Sequence, residues 1–88
     1  MEPFKNNQEL HDYLLRLSLE LRERHSTELS EVVAFAGRQA SGMSTEFLGE
    51  SRIALRRVLA EEDGVLARQE RADLSGVIEQ LDKALDKR

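Results

Sequence analysis

Residues 7–40 read NQELHDYLLRLSLELRERHSTELSEVVAFAGRQA, and how this stretch folds decides the architecture of the chain. Leu10, Tyr13, Leu14, Leu17 and Leu21 follow one another at steps of +3, +1, +3 and +4. At about 100° per residue they fall within about 100° of arc, the single buried stripe of an amphipathic α-helix. Asn7 stands where a side-chain oxygen can accept a hydrogen bond from an unpaired N–H of the first turn. Glu9 and Asp12 come early and Arg22, Arg24 and His25 late, the order that the helix dipole favours. Glu20 and Arg24 add a favourable i,i+4 pair.

Two readings of residues 25–28 are open. Ser26 and Thr27 can cap a new helix, with Glu28 and Glu31 in its first turn. Against this, Leu10, Leu21 and Val32 are eleven residues apart, a spacing that keeps them on one face of a straight helix. No Gly or Pro interrupts residues 8–36, which tips the reading to one unbroken helix over 7–40. Such a rod is roughly 50 Å long, against about 30 Å for a helix of ~20 residues. A single subunit could not cover it.

The rest of the chain is also helical in period. Ser41-Gly42 reads as a stop, with Gly42 free to take positive φ. Ser44 reads as the next cap, with Met43 packing on Leu48 as a hydrophobic staple. Phe47, Leu48, Ala54, Leu55, Val58 and Leu59 form the buried face of a helix over 44–63, ending near Asp63-Gly64. Val65 and Leu66 then plug the core from the turn. The last helix is expected over 67–87, with Leu74, Val77, Ile78, Leu81, Ala84 and Leu85 as a narrow a/d-like seam. The only proline is Pro3, so residues 1–6 read as a flexible lead. Alternation at period 2 is absent. The fold class is therefore all-α: a small antiparallel bundle of three helices with a long first one, or of four, completed by dimerisation.

Composition narrows the function classes. Eighty-eight residues make one small domain. Absence of cysteine removes disulfides, thiolate metal sites and cysteine nucleophiles. The longest apolar run, Val32 to Ala36, has five residues, whereas a bilayer helix needs about 20. No basic, apolar signal segment opens the chain. Together with the missing cysteines, this makes a cytoplasmic setting the expectation. Thirteen basic and seventeen acidic residues give a net charge of −4, which repels nucleic-acid phosphate overall. A Lys-rich polar face for a membrane surface is also missing.

Chemistry-bearing patterns are sparse. His11 and His25 are fourteen residues apart, about 21 Å along a continuous helix, so they cannot share a metal. The glycines are isolated and form no phosphate loop. No serine has a histidine and an acid at triad-like spacing. Arg52, Arg56 and Arg57 cluster, with Glu50 and Glu61 beside them, and read as solvated or ion-paired. Glu61, Glu62 and Asp63 close one helix while Arg68 and Arg71 open the next. Each group opposes its own helix dipole, and an antiparallel hairpin sets the two against each other. No catalytic, cofactor-binding or metal-ligating residue is assigned.

What remains is apolar surface facing outward. Leu15 and Leu19 lie about 140° and 180° round from the Leu10–Leu21 stripe, where a monomer's surface helix is normally polar. Ile53 stands alone opposite the Leu48–Leu59 face. With three Phe, one Tyr and no Trp, the core is thin, and a chain of this size buries about 60–65% of its unfolded surface. Leu15, Leu19 and Ile53 are therefore the expected partner-binding residues, and a homodimer the expected state. The function expected is a non-enzymatic helical protein–protein interaction module that self-associates, of adaptor, immunity-like or regulatory type, binding neither nucleic acid nor membrane. A nucleic-acid-linked regulator would instead be retained on heparin with a steep salt slope. A small helical enzyme would need a subunit-interface pocket lined by Arg and Glu.

Overall fold

The structure is a computed structural model and describes residues 4–38 and 44–86. It contains four α-helices: α1 (Asn7–Glu23), α2 (Thr27–Arg38), α3 (Ser44–Glu61) and α4 (Arg68–Asp86). No strand occurs among the described residues. The helices pack in chain order, α1 on α2, α2 on α3 and α3 on α4. Side-chain links set each neighbour antiparallel: Ser30 Oγ donates to the Ser18 carbonyl at 2.7 Å, Arg57 reaches Glu28 at 2.7 Å, and Arg71 reaches Glu62 at 2.6 Å. Arg24 closes the bundle by gripping both carboxylate oxygens of Glu70, joining the end of α1 to the start of α4. One hydrophobic core fills the middle and gathers Leu10, Leu14, Leu17 and Leu21 of α1, Leu29 and Val33 of α2, Phe47, Leu55 and Val58 of α3, and Leu74, Val77, Ile78 and Leu81 of α4.

The unbroken helix over 7–40 does not form. The molecule is 35 Å long, well short of such a rod. The chain turns after Glu23 because His25 adopts a left-handed conformation with φ 67°. His25 N–H then bonds the Arg22 carbonyl at 3.1 Å and Ser26 N–H the Leu21 carbonyl at 2.8 Å. This pair of bonds is the Schellman arrangement, which usually places glycine at the left-handed position. Ser26 opens α2, its carbonyl accepting from Ser30 N–H at 2.9 Å. The break gives α2 its own helical phase: Val33 is fully buried, whereas Val32, expected in line with Leu10 and Leu21, is only half-buried.

Smaller corrections follow from local bonding. The cap of α1 is Asn6, not Asn7: its side chain accepts from Glu9 N–H at 3.0 Å. The lead expected over 1–6 is tied down from residue 4 onward. Phe4 packs against Tyr13 with the rings tilted by 51° and their centroids 5.9 Å apart, and its N–H donates to Gln80 at 2.8 Å. On α4, Ala84 is exposed rather than part of the seam, and Leu85 is half-buried. The expected stop at Ser41-Gly42 and staple at Met43 lie outside the described residues.

The α3–α4 corner follows the sequence reading closely. Asp63 and Gly64 take φ 48° and 84°, and Leu66 is buried beneath the turn. Glu62 is buried as well. Its carboxylate accepts from Leu66 N–H at 3.0 Å and from the Arg71 guanidinium at 2.6 and 3.1 Å. These bonds, the Leu66 N–H first among them, hold its pKa below the usual carboxylate value even though burial pushes the other way. The expected offset of acids against bases across the corner is thus one buried, charge-assisted knot rather than a set of exposed pairs.

Candidate functional site

Four large hydrophobic side chains stand exposed among the described residues: Leu15 (53%), Leu19 (50%), Phe35 (53%) and Ile53 (63%). Leu15, Leu19 and Ile53 are the residues picked out from the sequence. Phe35 is new. The eleven-residue spacing that sets Val32 on the core face would place Phe35 only about 60° from it. With Val33 at the centre of the buried face, Phe35 lies about 160° away. Its signal was therefore hidden by the wrong phase. Reading α2 as a separate helix, with Leu29, Ser30, Val33, Ala36 and Gly37 inside, exposes it.

Leu15 borders the α1–α2 seam, Phe35 and Ile53 border the α2–α3 seam, and Leu19 stands one turn from Leu15 on α1. A groove of about 450 Å³ follows the α2–α3 seam, with Val32, Phe35, Ala36, Ile53 and Ala54 as its apolar lining. A smaller groove of about 170 Å³ follows the α1–α2 seam past Leu15, Ala34 and Gly37. Arg38 borders both grooves, so they are two halves of one surface along the outer face of α2.

Charges around this surface are of both signs. Arg57 is occupied by Glu28 at 2.7 Å and Glu61 at 3.1 Å. Arg38 instead lies over the Phe35 ring, 5.8 Å from its centroid. Among the described residues, Arg38, Glu31 and Glu50 form no ion pair.

Several polar groups elsewhere pair with one another, although the buried Ser51 hydroxyl has no partner among the described residues. Arg52 and Arg56 both reach Asp82 on α4, at 3.2 and 2.8 Å, so the arginine cluster is largely paired. Glu70 accepts from Arg24 and from Ala67 N–H, which lowers its pKa to about 2. Tyr13 is pushed above the ordinary phenol range by burial and then by Asp73, Glu20 and Glu70. His11 lies 3.9 Å from Asp12, and His25 sits exposed at the α1–α2 corner. Among the described residues no three His, Asp or Glu side chains converge as a metal-binding group, and no helix is long and apolar enough to cross a membrane.

Protein-family models, curated proteins and solved structures gave no match to this chain.

Proposed function

We propose that this protein is a non-enzymatic helical interaction module that self-associates, of adaptor, immunity-like or regulatory type, and works in the cytoplasm. The observation that carries the reading is the row of four half-exposed hydrophobic side chains along α2 and its flanks. Half of a large side chain is on the order of 100 Å², so the four expose ~400 Å² of apolar surface in one region. Removing that area from water contributes about 10 kcal/mol per subunit, at ~25 cal/mol per Å², before the cost of association is met. A stable interface buries about 800 Å² per partner, and its centre is apolar while its rim is polar. Here Glu31, Glu50, Arg38 and the paired Arg57 supply the rim.

A second copy is the occupant that fits this surface. Its rim carries both an unpaired cation and unpaired anions, so it complements itself, as an isologous contact requires. A phosphate-bearing partner fits less well, since Arg52, Arg56 and Arg57 are already engaged by Asp82, Glu28 and Glu61. The α2–α3 groove does bring arginine and glutamate together, as an interface enzyme would need. With Arg57 neutralised from both sides, Arg38 is the cation left on the groove among the described residues. That favours a contact for side chains over a pocket for an anionic substrate.

Sedimentation equilibrium or light scattering on the purified chain tests the reading. It predicts a dimer at micromolar concentration, and a Leu15→Glu, Leu19→Glu double variant of lower mass that keeps its helical content. A strict monomer, or a double variant unchanged in both mass and melting temperature, contradicts it.

A further inference from the structure

We infer that two copies meet by crossing their α2 helices antiparallel about a two-fold axis beside Phe35, with Glu31 of each copy paired to Arg38 of the other. This rests on the self-association proposed above and specifies its geometry. The outer face of α2 carries Glu31, Phe35 and Arg38 at steps of four and three, so the three share one stripe. The acid lies toward the N-terminus of the stripe, the base toward its C-terminus, and the aromatic ring between them. An antiparallel overlay that sets residue 31 opposite residue 38 has its midpoint between residues 34 and 35. Both rings then meet at the axis, and both charge pairs form at once. A parallel overlay would set like against like, Glu31 on Glu31 and Arg38 on Arg38.

The flanking helices agree with this placement. A Cβ on Gly37 would lie 3.9 Å from Leu14 Cβ, and Ser30 bonds the Ser18 carbonyl. In that antiparallel register Leu15 is level with Phe35. On the other side, Phe35 and Ile53 line the same groove. Leu15, Phe35 and Ile53 thus form a line across the bundle, on α1, α2 and α3 in turn. A two-fold axis running along that line sets each of the three against its own copy, with apolar surface meeting apolar surface. Leu19, one turn from Leu15, continues the contact. The Arg38 guanidinium, 5.8 Å from the centroid of the Phe35 ring, stands at the edge of the aromatic contact, where Glu31 of the partner subunit would meet it. The antiparallel crossing also opposes the two helix dipoles favourably.

Charge exchange tests the geometry. Glu31→Arg and Arg38→Glu are substitutions at exposed positions, and circular dichroism confirms that each variant folds. In either single variant both cross-pairs become like-charged, so self-association weakens about tenfold. Mixing the two variants in equal amounts restores both pairs in the mixed dimer, and sedimentation should return to within about twofold of the unaltered protein. The result that overturns the inference is a dimer indifferent to both single changes, or a mixture as weak as its components. Either would leave self-association standing through another arrangement, whereas an unaltered chain that stays monomeric removes the self-association reading and this geometry together.

Discussion

The two hairpins of the bundle are built from the same core but finished differently. In α3–α4 the corner is knotted by a buried carboxylate, with Glu62 bonded to Leu66 N–H and Arg71, and the outer flank is crossed by Arg52 and Arg56 on Asp82. In α1–α2 the corner is held by backbone bonds around a left-handed histidine, and the flank carries Leu15, Leu19 and Phe35 in the open. The α3–α4 hairpin pairs much of its polar surface internally and leaves Ile53 as its one large exposed hydrophobic side chain among the described residues, whereas α1–α2 leaves three. The difference is the reason the proposed contact is sought on α1–α2 and its border with α3 rather than at the α3–α4 corner.

The largest separation of the two should come from the buried carboxylate. Glu62→Ala leaves the Leu66 N–H without an acceptor beneath the turn, at a cost of about 2–3 kcal/mol. Chemical denaturation should show that loss with the same subunit mass at equal folded concentration. A loss below about 0.5 kcal/mol, the scatter of ordinary surface changes, would mean that the knot is not what holds the corner.

Acid should attack the same region next. Glu62 and Glu70 both have folded-state pKa values below their unfolded ones. Their contribution is therefore complete above the unfolded carboxylate range and is lost as pH falls through the folded values. For Glu70 the decline runs from about pH 5 toward its folded value of about 2. Replacing it by Gln in Glu70→Gln should flatten the stability profile over that window. An unchanged acid limb would show that the Arg24–Glu70 link contributes nothing.

The corners themselves give the smallest effects, and of opposite sign. His25→Gly relieves a left-handed non-glycine residue and should stabilise by about 0.5 kcal/mol, the relief being offset in part by the entropy of the new glycine. Gly64→Ala places a Cβ at φ 84°, where no atom lies within 4 Å to obstruct it, so its cost of about 1 kcal/mol is conformational alone. Thermal melts of the two variants should shift in opposite directions; a shared direction would refute the account of how the two turns are made.

The same contrast explains what was legible in the sequence. The α3–α4 corner announced itself through Asp63-Gly64, the plug residue Leu66 and the opposed charges, since each is a local signal. The α1–α2 corner was only half legible: Ser26 and Thr27 offered a cap for a new helix, but His25 occupies the place where glycine would have marked the stop, and the Leu10, Leu21, Val32 spacing mimicked continuity. The leaning toward continuity had a second consequence: it rotated α2 by about one residue and concealed Phe35. Leu15, Leu19 and Ile53 were readable as outward-facing because α1 and α3 kept the phase their leucines and aromatics imply. That Leu15 and Ile53 border the two seams on either side of α2 was not readable, as it depends on α2 packing between α1 and α3.

The most direct measurement is the sedimentation-equilibrium mass of the unaltered chain beside Phe35→Glu, both checked for helical content. The account predicts a dimer for the first and a folded species of 10.0 kDa for the second. Two species of equal mass, whether both single or both paired, would contradict it.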